Sequence, residues 1–184
     1  MLILILGLAL WWGAHLFTRI MPELRARFGD AGRGGVAAVI ILSVLLMIWG
    51  YRAAPVGTVW WGPSAMLKGI NNLLVLISFY LFAASGMKTR LANRLEHPML
   101  SGFTLWAFAH LLVNGDLPSL VLFGGLMVWA LVEVVVIGRT GSDQQTQAGD
   151  VLLYRDGLAF IAALIVYGVA GMIHSWLGYN PFGG

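Results

Sequence analysis

Six apolar stretches, separated by short polar connections, make up most of this 184-residue chain. A helix needs about 20 apolar residues to cross the hydrocarbon core of a bilayer, and each stretch approaches that length. The pattern predicts an all-α membrane bundle of about six transmembrane helices, at residues 1–17, 35–51, 69–86, 99–113, 117–137 and 158–177. The first stretch has no basic residue before it and no cleavage pattern after it, so we expect a retained helix rather than a signal peptide. The length suits a single domain, residues 1–184.

The fourth stretch is the shortest and has the clearest ends. Its 15 residues rise by about 22 Å as a helix. Pro98 suits the first helical turn and disfavours helix at His97 just before it. Asn114-Gly115 ends the stretch, and Asp116 is placed to cap the next helix, which has Pro118 in its first turn. We therefore predict that the fourth and fifth helices form a tight antiparallel hairpin.

The basic residues between the helices are distributed unequally. Nine of the eleven follow the first, third and fifth predicted helices: Arg19, Arg25, Arg27, Arg33, Lys88, Arg90, Arg94, Arg139 and Arg155. The other two, Arg52 and Lys68, lie on the opposite side. Because cytoplasmic loops are enriched in Lys and Arg, the nine-charge side is predicted to be cytoplasmic, with both chain termini outside. The connection with Trp60-Trp61 then lies at the outer interface, and residues 138–156 form a polar loop.

Composition narrows the possible functions. Only 10% of the residues are charged, against about 25% in a soluble domain, so the main partner is a lipid bilayer. The chain has no cysteine, which excludes disulfides, iron–sulfur clusters, thiolate zinc sites and cysteine nucleophiles. The net charge of +3 comes from residues that orient helices, and no aromatic-basic pattern indicates nucleic acid as a partner. Phosphate-loop, dinucleotide and hydrolase motifs are absent from the sequence.

Ionisable side chains at membrane depth are costly and often functional, which draws attention to the histidines. His110 has the small Ala107 one turn before it, which leaves the room beside an imidazole that an axial haem ligand needs. His174 likewise follows Gly168 and Gly171. The alternative for both is structural, because histidines also bond to neighbouring helices and small residues also allow close helix packing. His174 lies near the outer end, where a water-reaching histidine is ordinary.

Two further histidines lie near the predicted cytoplasmic side. His15 follows two tryptophans, so it is either a ligand or an interfacial histidine in an aromatic belt. His97 precedes a proline, and three roles are open to it. It caps the fourth helix, it binds a haem propionate together with Arg94, or it is a solvated loop histidine.

One carboxylate, Glu133, falls inside the fifth predicted helix. A carboxylate at membrane depth needs a cationic partner, and Arg19 and Arg139 are the candidates. The other role open to it is to orient a histidine. Structural pairing is the favoured interpretation.

The most specific sequence motif surrounds His97 and His110. The segments RLEHPML (94–100), WAFAHLL (106–112) and NGD (114–116) resemble the NnrU family of bacterial membrane proteins. GAH (13–15) and IWGY (48–51) also fit, so the resemblance covers essentially the whole chain. It implies a multi-pass protein of the bacterial inner membrane. It also implies a link to nitrate, nitrite and nitric oxide reduction, that is, to denitrification.

That family is similar to the 15-cis-zeta-carotene isomerases, membrane proteins that use haem b to isomerise a double bond. Two histidines hold the haem there, one early in the chain and one 13 residues after a histidine-proline pair. The match falls on His15 and on His110, which follows His97 by that spacing, so the resemblance implies that these two residues bind the iron of haem b. The isomerases also have a cysteine near the second ligand. This chain has Ala107 there, so a thiolate ligand switch is excluded.

Helix geometry leaves a second ligand pair open. At about 1.5 Å per residue, His15 lies about 15 Å deeper than His110, whereas His174 is at a similar depth to His110. A pair of His110 and His174 therefore satisfies the depth without any helix tilt, and tilt is needed for the other pair.

Two functions follow from these observations. The first is a haem b-binding membrane protein linked to denitrification, an isomerase- or redox-type enzyme acting on a small molecule. The alternative is a non-catalytic accessory or assembly factor for denitrification enzymes, which acts through contacts with other helices. A transporter is disfavoured, because the sequence shows no repeat and no pair of Gly/Pro-broken helices at mid-membrane.

Overall fold

The computed structural model describes residues 1–140 and 153–182, most of which are helical. The α-helices are α1 Leu2–Ile20, α2 Pro22–Arg27, α3 Gly29–Ala53, α4 Ala65–Met87, α5 Pro98–Val113, α6 Leu117–Ser119, α7 Gly125–Thr140 and α8 Tyr154–Trp176. A 3-10 helix covers Ala92–Arg94, and a π-helical turn, Leu120–Gly124, joins α6 to α7. Two short strands, β1 Val59–Trp61 and β2 Gly115–Asp116, pair with each other.

The all-α membrane fold predicted from the sequence is confirmed. Five helical segments in the described part of the chain are long and apolar enough to cross a bilayer: Leu2–Ile20, Gly29–Ala53, Ala65–Met87, Leu117–Gly138 and Tyr154–Trp176. The remaining predicted span, Pro98–Val113, is apolar but shorter, with 16 residues. The predicted orientation, with both termini outside, stays a prediction.

Several helices extend beyond their apolar cores. α3 begins at Gly29 rather than at residue 35, and α8 begins at Tyr154 rather than at residue 158. Backbone hydrogen bonding therefore continues through polar residues that lie outside the apolar stretches. The predicted polar loop, 138–156, is therefore shorter than expected at both ends, and its residues 141–152 lie outside the described part.

The first of two compact units comprises Met1–Trp60 and Gly115–Ser142, as far as these are described. In it, α1 packs against α3 and α7. The contact with α3 depends on glycine. A Cβ atom at Gly50 would collide with the backbone of Leu4, and one at Gly7 would lie 2.8 Å from the backbone nitrogen of Met47. Such small residues allow transmembrane helix backbones to approach closely.

Two side-chain hydrogen bonds also connect helices of this unit. Trp12 donates its indole N–H to the carbonyl of Gly125, with 3.2 Å between nitrogen and oxygen. The hydroxyls of Tyr51 and Ser119 are 2.9 Å apart. Asp116 caps α6 as predicted, since its side chain accepts a 2.9 Å bond from the backbone N–H of Ser119.

The second unit comprises Trp61–Asn114 and the described part of Asp143–Gly184. α4 is its centre and packs against α5 and α8. The hydroxyl of Ser78 on α4 donates a buried 2.7 Å bond to the carbonyl of Gly102 on α5. A Cβ at Gly102 would lie 3.0 Å from the Cβ of Leu81, so close packing explains this glycine as well.

The connection from α5 to α6 is as short as the sequence predicts. The helix before this connection, α5, packs on α4 within the second unit. α7, which follows α6, packs on α1 within the first unit. The prediction of a single domain, 1–184, stays a prediction.

Candidate functional site

His110 on α5 and His174 on α8 are neighbours in the second unit. Their ring centroids are 6.5 Å apart, and their planes are inclined by 44°. His110 is half-buried, whereas His174 is exposed. The depth estimate from the sequence, which places these two residues at the same level, agrees with this arrangement.

Both imidazoles are held in the same orientation by their own helices. Nδ1 of His110 lies 2.8 Å from the carbonyl oxygen of Trp106, and Nδ1 of His174 lies 2.8 Å from that of Ala170. A carbonyl oxygen only accepts, so the Nδ1–H of each ring is the donor of this bond. A backbone carbonyl that fixes the Nδ1–H in this way is the usual second partner of a metal-binding histidine.

The end of α5 around His110 is fixed by three contacts. The ring of Trp106 lies over the imidazole, with 4.8 Å between centroids. Asn114 donates its side-chain N–H to the carbonyl of His110 over 2.8 Å. The indole N–H of Trp61 donates to the carbonyl of Leu111, also over 2.8 Å. These contacts hold the backbone beside the imidazole, so the ring has a defined position.

The small residues that drew attention to the two histidines differ in their surroundings. Ala107 is fully buried, so packed atoms rather than open space surround it. At Gly171, the ring of Phe182 occupies the position of a Cβ, which supports the packing interpretation there. At Gly168, a Cβ would meet nothing within 4 Å. Space next to His174 is therefore available at Gly168 and filled at Gly171.

His15 lies in the first unit, within an aromatic cluster. Its ring centroid is 4.2 Å from that of Trp11 and 4.8 Å from that of Trp129, the latter edge-to-face. Its Nδ1 lies 2.9 Å from the carbonyl oxygen of Trp11, so the same proton arrangement applies as at the other two histidines. The predicted pair of His15 and His110 falls on two different units, and stays a prediction.

One helical turn from His15, Arg19 forms an ion pair with Glu133. The Nε of Arg19 is 3.4 Å from Oε2 of Glu133, and the carboxylate side is nearly fully buried. Of the two partners that the sequence suggests for this carboxylate, the structure therefore confirms Arg19, and the side chain of Arg139 lies outside the described residues. Arg19 lies four residues after His15, and Glu133 lies four residues after Trp129. Because residues four apart share a helix face, the ion pair lies beside the contact between His15 and Trp129.

His97 is half-buried at the start of α5, and its predicted role as a capping side chain is wrong. The side chain makes no cap hydrogen bond, and its backbone carbonyl instead accepts from the N–H of Ser101 over 2.9 Å. Pro98, at the first helical position, has no backbone N–H, so the start of α5 has one donor fewer that requires a capping acceptor. A role of His97 and Arg94 at a haem propionate stays a prediction.

Two features of the sites were missed from the sequence. One is the aromatic cluster of Trp11, Trp129 and His15; the spacing of four between Trp11 and His15 was its only signal. The other is the end of the chain, where Asn72 donates to the carbonyl of Pro181 over 3.0 Å. Within the described residues, no group of three or more His, Asp or Glu side chains is arranged to hold a metal ion.

The fold and its apolar helices define a multi-pass α-helical membrane protein. The chain belongs to the NnrU family, whose model, described as NnrU protein, matches residues 3–181. No curated protein and no solved structure matches this chain. The similarity to the 15-cis-zeta-carotene isomerases accordingly stays a prediction.

Proposed function

We propose that this protein is a membrane-embedded haem b protein in which His110 and His174 would hold the haem. The observation that carries the proposal is the 6.5 Å between the two ring centroids. Two imidazoles on opposite sides of one metal ion place their ring centres about 6 Å apart, because each metal–nitrogen bond is about 2 Å long. The geometry within the second unit therefore favours His174, rather than His15, as the partner of His110.

The donor set fits haem iron. Haem supplies four nitrogens of its own and needs only one or two protein ligands, which agrees with two histidines and no larger cluster of ligands among the described residues. In both histidines the Nδ1–H donates to a backbone carbonyl, which would leave Nε2 to bind the iron. The bound group would supply redox or Lewis-acid chemistry, and the chain's own residues orient the ligands and keep their surroundings apolar.

We place the protein in the inner membrane of a bacterium and link it to denitrification, the reduction of nitrate, nitrite and nitric oxide. Membership of the NnrU family supports this link, and the apolar helices support the membrane location. In an isomerase- or redox-type role, the substrate is a small molecule that reaches the haem. In the alternative role, the protein assists the denitrification enzymes through helix contacts.

The visible absorption spectrum of protein purified in detergent from haem-replete cells tests the ligands. We expect a Soret band that is lost in His110→Ala and in His174→Ala. Met99→Ala is the control, and it should retain the band because Met99 is exposed at the other end of α5. A colourless wild-type protein would overturn the haem proposal. Loss of the band in His15→Ala together with its retention in His174→Ala would instead support the pair from the family motif.

Growth on nitrite separates the two roles. A strain in which the gene is deleted receives either the wild-type protein or the haem-free His110→Ala variant, at equal amounts in the membrane. If the haem is used, only the wild-type protein restores growth. Full rescue by the variant would show that the protein acts as an accessory factor without its haem.

A further inference from the structure

A groove of about 550 Å³ opens within the first unit, between α1 and the segment formed by α2 and the start of α3. Nine of its ten lining residues are apolar or glycine, among them Gly13, Phe17, Gly35 and Val39. The tenth is Arg25, on the short helix α2. The groove is therefore apolar, with a single positively charged residue in its wall.

The Arg25 guanidinium is not neutralised within the described part of the chain. Its Nε is buried and has no hydrogen-bond partner there. The neighbouring arginines differ, because Arg19 pairs with Glu133 and Arg33 lies 3.5 Å from Asp30. A buried N–H of a charged group is costly when it has no acceptor, so an acceptor from outside the chain would stabilise it.

The surroundings of α2 place this charge in the headgroup layer. Four large apolar side chains flank or belong to α2 and are exposed: Ile20, Met21, Leu24 and Phe28. A short helix with exposed apolar residues and basic neighbours is typical of a segment that lies in the membrane interface. The basic residues on this side also indicate the cytoplasmic leaflet, where anionic lipids attract Lys and Arg.

We propose that the groove binds one anionic phospholipid, with its phosphate on Arg25 and an acyl chain along the apolar wall. A free anion would gain nothing from the nine uncharged lining residues, and a zwitterionic lipid such as phosphatidylcholine carries its own cation, which offsets the attraction of its phosphate for the guanidinium. Guanidinium groups bind phosphate through short charge-assisted hydrogen bonds. Arg25 is half-buried as a residue, and its Nε is the buried atom without an acceptor among the described residues.

The glycines of the groove allow a test that does not disturb packing. A Cβ at Gly35 would meet nothing within 4 Å, so Gly35→Leu places a side chain in the open groove. Gly34 is equally open but does not line the groove, so Gly34→Leu is the matched control. Arg25→Gln removes the charge, Arg25→Lys keeps it, and Arg27→Gln removes an exposed charge outside the groove.

Lipid retention by the full chain in detergent is measured by native mass spectrometry, with dioleoylphosphatidylglycerol, dioleoylphosphatidylcholine, oleate or inorganic phosphate added separately. We expect one phosphatidylglycerol retained in preference to phosphatidylcholine. Arg25→Gln should weaken this retention by about fivefold, the effect of one basic residue near an anionic surface. Gly35→Leu should weaken it as well, and Arg25→Lys, Arg27→Gln and Gly34→Leu should not.

Three results would overturn the proposal. Equal retention of the two phospholipids would show that the charge is not used. Binding of inorganic phosphate or oleate as strong as that of phosphatidylglycerol would assign the site to another anion. Unchanged phosphatidylglycerol retention in both Arg25→Gln and Gly35→Leu would place the lipid elsewhere. Thermal unfolding of each variant is recorded alongside, so that loss of the fold is distinguished from loss of the site, and the haem spectrum plays no part in the outcome.

Discussion

Glu133 and Arg19 form an ion pair whose two ends lie in different surroundings. Oε2 of Glu133 is 3.4 Å from Nε of Arg19, while the side chains are 3% and 45% exposed, respectively. The second carboxylate oxygen, Oε1, has no hydrogen-bond partner within the described residues. The arginine is therefore the group that compensates the carboxylate, because a buried charge without a partner is strongly destabilising.

Removal of the arginine alone should cost more than removal of both charges. We expect Arg19→Gln to lower the free energy of unfolding by about 2 kcal/mol, less than for a fully buried pair because the guanidinium is half exposed. Adding Glu133→Gln to Arg19→Gln should restore most of the lost stability, since no buried charge remains. Thermal unfolding in detergent measures both, with Arg27→Gln as an exposed control. A double variant as unstable as Arg19→Gln would contradict the ion-pair argument.

The cap of α6 should depend on the carboxylate geometry of Asp116 rather than on its charge. Oδ1 accepts from the backbone N–H of Ser119 over 2.9 Å, and Oδ2 accepts from its hydroxyl over 2.8 Å. Asp116→Ala should reduce stability by about 1 kcal/mol, the usual value of an N-cap. Asp116→Asn keeps a side-chain acceptor and should retain most of the stability that the cap provides. If Asn and Ala prove equally damaging, the charge and not the cap is what matters.

Close contact between α1 and α3 predicts a strong effect of a single methyl group. Gly50→Ala brings a Cβ against the backbone of Leu4, which a side-chain rotation does not relieve. We expect a loss of about 1–3 kcal/mol in the free energy of unfolding, as for an overpacked core. Gly69→Ala on α4 is the control, because a Cβ there meets nothing within 4 Å, and it should be neutral or stabilising. Equal unfolding temperatures for the two variants would argue against the close contact.

Local sequence signals predicted the parts of the molecule that local chemistry determines. Pro98 and Asn114-Gly115 define the ends of α5, and Asp116 with Pro118 defines the start of α6, because caps and prolines act within one turn. The start of α3 was missed, since the residues from Gly29 to Gly34 carry little apolar signal.

The candidate site was only partly predictable. The motif around His110 selects that residue, but its neighbour depends on how α4 brings α5 and α8 together, which no local pattern records. The depth of each residue along its helix was the better guide to the contact with His174. Phe182, whose ring covers Gly171, lies in the segment after α8. That segment has no periodic pattern from which the contact could be predicted.

Under the proposed ligation by His110 and His174, replacement of the exposed His174 by methionine should change the haem without removing it. In His174→Met, the thioether provides a weaker axial ligand, and methionine–histidine ligation raises the reduction potential relative to two histidines. We expect a rise on the order of 100 mV, a fraction of the about 0.8 V range that axial ligands control. Potentiometric titration of the purified protein measures it, and Met99→Ala serves as the control with an unchanged potential. Because a purely structural histidine at 174 would leave the iron's ligands intact, an unchanged potential and spectrum in His174→Met would remove this residue from the site.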